Sequence, residues 1–230
     1  MVDVAKYVVL DPGKGRRLGP GAREELVAAV RSADAEHAGV LLLAVEGSAF
    51  DHAPEIERIP DEELAPEHLQ SEFFGLARTF LRSETPIVVH ADGPVTGFGL
   101  GLFSAADVRV ASDAATFALG EPRAAALLLS GGTWLVPAAT GLGALASMAW
   151  TGGWLTAGEA LSVGFVSSLR DSVDGASEVA AGIASLSPGA RSAMKRALNA
   201  RRLSELSEQL EYESWLLQVA LGRPSKREGQ

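Results

Sequence analysis

Residues 39–45 read Gly-Val-Leu-Leu-Leu-Ala-Val, with no polar side chain among them. A strand with one wet face alternates apolar and polar residues. An unbroken apolar run needs cover on both faces, which is the situation of a parallel strand with helices above and below it. Pro86-Ile-Val-Val-His90 reads the same way, and shorter runs recur at Val8–Leu10, closed by Asp-Pro-Gly, and at Val108–Ala111. Between them, Ala22–Ala33 and Pro66–Leu81 carry apolar residues at helical spacing. Strands alternating with helices predict an α/β layer architecture with largely parallel pairing. A chain of 230 residues, 47% hydrophobic and 21% charged, buries such a core without staples.

The last third changes character. Helices are predicted over 142–150, 157–163, 178–186, 189–200 and 203–221, with one short strand at Phe165–Leu169. This divides the chain into an α/β core over 1–185 and a C-terminal helical region over 186–230. Leu203–Leu221 has Leu, Trp and Val on one side and Ser, Glu and Gln on the other, so it packs on its own core or against another subunit, with Trp215 as a candidate anchor. Residues 124–158 hold no charge, but Gly131, Gly132, Pro137, Gly141, Gly143, Gly152 and Gly153 break the run. A backbone so interrupted fails to satisfy its hydrogen bonds in lipid, so the stretch reads as turn, helix and turn inside a soluble core, with Trp134, Trp150 and Trp154 as core residues.

Composition removes several functions. Twenty Lys and Arg stand against twenty-nine Asp and Glu, a net charge of −9, which argues against a nucleic-acid footprint. Cys is absent, and the four His (His37, His52, His68, His90) show no ligand spacing, so no metal site is expected. The first residues lack a basic segment followed by an apolar one, and a cytoplasmic, membrane-free protein is expected.

The most informative segment is Pro86–Ala111, PIVVHADGPVTGFGLGLFSAADVRVA, a strand, a turn and a helix. Gly97, Gly99 and Gly101 permit close backbone approach, and amides at a helix start favour negative charge. Such a turn packs tightly, binds a phosphate or stabilises an oxyanion; its spacing is not that of a dinucleotide fingerprint.

Six pieces, in order, resemble the crotonase family, the enoyl-CoA hydratase/isomerase superfamily: the loop from Glu46 to Ile56, Pro86–Ala111, Thr116-Phe-Ala-Leu-Gly-Glu121, Gly131-Gly-Thr-Trp-Leu-Val-Pro137, Gly158–Val166, and Ser187-Pro-Gly-Ala with Lys195. The resemblance runs from about Val8 to Gly229. It implies a crotonase-like spiral of ββα units, with a helical C-terminal oligomerisation region forming a homotrimer or a dimer of trimers. It also implies an acyl thioester substrate, carried on coenzyme A or on a carrier protein. No cofactor is implied beyond that coenzyme A or phosphopantetheine. Two backbone amides of the family grip the thioester oxygen and stabilise an enolate. Carried over, one amide is that of Phe98, and the family's proton-moving carboxylate falls on Glu121. Read without the resemblance, Glu121 is a helix-start carboxylate.

Two departures stand out. The hydratases' second Glu falls on Gly101, which disfavours ordinary hydration and leaves double-bond isomerisation or protonation of an enolate formed by decarboxylation. The family's other amide falls on Pro54, which has no N–H, so Ala53 donates in a shifted register, His52 substitutes, or one donor is lost. His52 is otherwise a surface loop residue. His90 is a core histidine bonded to a carbonyl or, with the opposite strand phase, a site-facing proton carrier. The alternatives are a catalytically degenerate homologue serving as a thioester-binding or assembly subunit, and a hydratase in which a His replaces the missing Glu.

Overall fold

The computed structural model describes residues 6–10, 20–47, 50–52, 75–120, 127–128 and 131–220. Its strands are β1 (Lys6–Leu10), β2 (Leu41–Glu46), β3 (Asp51–His52), β4 (Ile87–Asp92), β5 (Pro94–Thr96), β6 (Val108–Ala111), β7 (Thr116–Ala118), β8 (Trp154–Thr156) and β9 (Ser168–Leu169). Its helices are α1 (Pro20–Ala35), α2 (Gly75–Arg82), α3 (Gly97–Ala105), α4 (Gly132–Thr140), α5 (Leu142–Thr151), α6 (Ala157–Ser162), α7 (Val173–Ala184) and α8 (Pro188–Ala220).

The strands form two sheets. One has the order β1-β2-β4-β6-β9 and is parallel throughout; the other has the order β3-β5-β7-β8, with only β8 antiparallel. Among the described elements, two turns of the chain each give one strand to the first sheet, the next strand to the second, and then a helix: β2-β3-α2, then β4-β5-α3. This is the spiral of ββα units that the family resemblance implies.

The apolar runs are covered on both faces, as their lack of alternation requires. Leu41, Leu43 and Val45 of β2, with Ile87, Val89 and Ala91 of β4, face the main core against α1, α2 and α3. Leu42 and Val88 face a smaller cluster closed by Ala176, Ala180 and Ala184 of α7. Behind α3, the rings of Phe103, Phe117 and Phe165 meet with centroids 5.2–5.6 Å apart, pinning the helix to the second sheet.

Three readings of the chain's C-terminal part are corrected. The segments 189–200 and 203–221 form a single helix, α8, of 33 residues, since neither Gly nor Pro lies between them. Trp150 and Trp154 are not core: they are 85% and 61% exposed, while Trp134 is half-buried. The expected turn-helix-turn is instead two helices, α4 and α5, broken at Gly141 (φ +80°). Among the described residues, no helix is long and apolar enough to cross a membrane.

α8 is locked to the first sheet by a buried polar cluster. Lys195 Nζ donates to Thr85 O (2.8 Å) and to Asp107 Oδ2 (2.7 Å), and the Ile87 amide donates to the same Asp107 oxygen (2.8 Å). Asn199 Nδ2 adds a longer bond to Asp107 Oδ1 (3.3 Å). The start of β4, the start of β6 and the last helix thus share one carboxylate.

Candidate active site at the amino end of α3

Three segments meet at the head of α3. β5 lies between β3 and β7, pairing Asp51 with Thr96 and Thr96 with Ala118. The Thr96 amide donates to Phe50 O (3.0 Å), and the Gly97 amide donates to Leu119 O (2.9 Å). The bend itself is made by Gly97 at φ +53°. The next amide after that of Gly97 is that of Phe98, in the first turn of α3, where the helix dipole favours negative charge. The N-cap residue, Thr96, makes no side-chain capping bond.

Gly99 determines how closely the first segment approaches. A Cβ at this position would stand 2.8 Å from Phe50 Cβ, and closer still to the Phe50 carbonyl oxygen. The G99A variant is therefore expected to lose about 1–3 kcal/mol of stability by overpacking, read as a lower urea midpoint with an unchanged m-value. An unchanged midpoint would show that the β2–β3 turn yields freely. On the third segment, Gly120 (φ +74°) packs against Thr96 Cβ, at 3.2 Å from a notional Cβ.

The sequence-predicted residues distribute as follows. Gly97, Phe98, Gly99 and Gly101 are buried in α3. His52 lies in β3, its backbone one residue beyond the Asp51–Thr96 pair; its side chain, and Ala53, Pro54 and Glu121 altogether, lie outside the described residues. In sequence, Ala53 follows directly on His52, and Glu121 on Gly120.

His90 is placed elsewhere, and its candidacy as a site-facing proton carrier is corrected. It pairs with Ala44 and Val110, shares the strand phase of Val88, and so sits on the α7 face, away from α3. Its Nε2 is 2.9 Å from Arg170 O, and the ring is buried. Both strand phases of β4 are apolar, so the sequence carried no signal for which one faces the site.

A functional candidate absent from the sequence reading is Glu213. It is fully buried on α8, yet its carboxylate accepts the Gly131 amide at Oε2 (3.0 Å), and the Thr133 amide (3.0 Å) and Thr133 hydroxyl at Oε1. Gln209 Nε2 donates in turn to Thr133 Oγ1 (2.6 Å). Gly131 is the N-cap of α4 and has no side chain to cap with; the carboxylate comes from 82 residues away. Burial pushes Glu213 up to about 7, against the pull of the Thr133 and Gly131 donors. A signal for it existed: Leu206, Leu210, Glu213 and Leu217 share one helical stripe, which puts an acid on the apolar face.

A separate cleft of about 630 Å³ lies between α4 and α8, lined by Trp134, Glu205, Glu208, Gln209, Glu211 and Tyr212. None of these residues belongs to the three converging segments. Among the described residues, no group of three His, Asp or Glu is placed to hold a metal ion.

Comparison with known proteins bears on this arrangement. The profile of the family described as enoyl-CoA hydratase/isomerase matches residues 7–230. A Rhodobacter capsulatus protein described as a "probable enoyl-CoA hydratase" is 30% identical over 217 residues, covering 92% of this chain and 84% of that one. The (E)-benzylidenesuccinyl-CoA hydratase of Thauera aromatica is 31% identical over 167 residues, covering 67% of this chain and 65% of that one. The match to YngF of Bacillus subtilis, 31% identical over 147 residues, covers 63% of this chain and 56% of that protein. In fold, the crystal structure of enoyl-CoA hydratase from Thermoplasma volcanium superposes with a TM-score of 0.76 at 22% identity, covering 94% of this chain and 89% of that one.

Proposed function

Since the chain belongs to the enoyl-CoA hydratase/isomerase family, we propose that it is an enzyme of acyl thioesters that works through an enolate held at the head of α3. The observation that supports this is the convergence of Phe50–His52, Thr96–Gly99 and Leu119–Gly120 on one helix end. In this reading the Phe98 amide donates to the thioester oxygen as it gains negative charge, and the helix dipole adds to the effect. Ala53 is the candidate for the second donor, because Pro54 has none.

Glu121 is the proton carrier. As a base it takes a proton from the α-carbon of a 3-enoyl thioester, giving the dienolate; as the resulting acid it returns the proton to the γ-carbon, and the double bond has moved into conjugation. One carboxylate suffices for both halves. Hydration needs a group to activate water as well, and the position of the family's second Glu is Gly101 in α3. The same site also serves decarboxylation: carbon dioxide leaves, the enolate takes its place, and Glu121 protonates carbon.

A second reading has its own support. Pro54 and Gly101 each remove a group that the family's hydratases use, as expected of a thioester-binding subunit without turnover. Hydration assisted by His52 is the remaining variant. The deciding measurement uses 3-enoyl-CoA and saturated acyl-CoA thioesters in D₂O, followed by mass spectrometry and NMR. Deuterium at the α- or γ-carbon supports the enzyme; binding of the thioesters with no exchange in any of them supports the binding subunit. Neither outcome depends on whether the natural carrier is coenzyme A or a carrier protein, or on whether the chain assembles as a trimer.

A further inference from the structure

We propose that Arg109 and Arg202 are positioning residues for this reaction that act through α3: their charges, set against its carboxyl end, deepen the preference of its amino end for negative charge. The inference rests on the proposed enolate at the head of α3. That helix runs from Gly97 to Ala105, nine residues, and so spans about 13 Å at roughly 1.5 Å per residue. The two guanidiniums grip its tail. Arg202 Nη2 donates to Ser104 O (2.6 Å), and Arg109 Nη1 donates to the carbonyl of the C-cap residue, Ala106 (3.1 Å). Arg109 Nε donates to Phe165 O, and its guanidinium lies over the Phe165 ring, 5.7 Å from the centroid. Arg202 Nη1 donates to Asn199 Oδ1 (3.1 Å), and its Nε finds no acceptor.

All four bonds end on neutral oxygens, so neither guanidinium is answered by a carboxylate bonded to it. Lys195 brings a third cation to the same place, bonded to Asp107. Among the described residues, the acids that act on these cations are Asp107, and the more distant Asp34 on Lys195 alone. The carboxyl end of α3 thus sits in an excess of positive charge. Burial and the neighbouring Arg202 push Arg109 down to about 10, against the pull of Asp107; burial lowers Arg202 as well. Both guanidiniums stay charged at neutral pH. Their effect reaches the head of α3 in two ways. Donors on the last carbonyls polarise the chain of hydrogen bonds behind them. The charges also act directly: at an effective dielectric of about 20, one charge some 13 Å from an oxyanion is worth roughly three- to tenfold in rate. An enolate oxygen is more negative than the thioester oxygen it comes from, so the effect falls on kcat more than on KM.

Glutamine and lysine at each position test this: R109Q, R109K, R202Q and R202K. Each variant is read by α-proton exchange of acyl-CoA thioesters in D₂O. Each is also read by the infrared carbonyl stretch of bound butyryl-CoA, isotopically labelled at the thioester carbon, which reports the field at the oxygen without turnover. In the wild type the stretch should fall on binding. The glutamine variants are expected to lose roughly three- to tenfold in kcat, with KM changed less than threefold, and to show a smaller fall in the stretch. The lysine variants keep the charge without the planar fork, and should stay within threefold of wild type in kcat and keep the fall. Glutamine variants with the wild-type rate and stretch overturn the proposal. Lysine variants that fold but lose as much as the glutamines also overturn it, because the loss then belongs to the guanidinium bonds and the role is structural. If a glutamine variant does not fold, the lysine variant at that position and the pair at the other decide by the same criteria. If the wild type lowers the stretch but moves no proton, the spectra alone decide. A wild type that neither lowers the stretch nor moves a proton defeats the enolate reading, and this inference with it; a wild type that does both, beside glutamine variants that match it, defeats this inference alone.

Discussion

Glu121→Gln is expected to slow thioester α-proton exchange by about 10²–10⁴-fold while leaving thioester affinity within a few-fold of wild type. Gln has the size and shape of Glu but neither accepts a proton from carbon nor donates one to it at neutral pH. The backbone donors at the head of α3 do not involve residue 121, so binding of the thioester oxygen should survive. The measurement is a pair: deuterium incorporation under single turnover, and Kd by calorimetry on the same preparation. Exchange that persists in E121Q at more than a tenth of the wild-type rate would remove Glu121 from the chemistry and return His52 to consideration. Loss of affinity in parallel with loss of exchange would instead mark Glu121 as a binding group.

The largest effect on stability is expected at Lys195. Its ammonium sits between Thr85 O and Asp107 Oδ2, almost wholly buried, and burial pulls its pKa down while the Asp107 charge pushes it back up. A buried cation is tolerated only because its partner is there too. Lys195→Met keeps most of the apolar stem but removes the ammonium bonded to Asp107, leaving the carboxylate the Ile87 amide, the long Asn199 contact and the more distant charges of Arg109 and Arg202. The expected loss is about 3–5 kcal/mol, read from urea unfolding. A D107N/K195M double variant should recover part of this, because Asn still accepts the Ile87 amide and carries no charge. A loss below about 1 kcal/mol in K195M would mean that solvent at the partly exposed Asp107, with Arg109 and Arg202 nearby, satisfies its charge without the lysine.

Legibility in the sequence followed the length and purity of each pattern. β2 and β4 were readable because an unbroken apolar run has one economical solution, a parallel strand covered on both faces. The glycine bend before α3 was readable because the spacing of Gly97, Gly99 and Gly101 serves close approach, and two of the three show it: Gly97 by its φ, Gly99 by the Phe50 backbone pressed against it. The second sheet was not readable, since β5, β7 and β8 are three residues each and β3 is two, too short for any period to emerge. The side of the sheet taken by His90 was hidden by the very purity that revealed β4. Trp150 and Trp154 misled because large apolar side chains in an uncharged stretch suggest burial, yet apolar surface is common on folded proteins. Glu213 shows the converse: a single acid on an apolar helical stripe is a small signal beside the many acids on the outer face of the same helix.

α8 supplies Leu206, Leu210 and Leu217 to the main core, and with Lys195 it supplies the counter-charge of Asp107. A ribosome synthesises it after every strand and helix that it secures. Until it is made, α2 and α4 lack the part of their cover that α8 gives, and Asp107 lacks the Lys195 ammonium. Completion of the core is thereby deferred until α8 has been made and docks on α2 and α4.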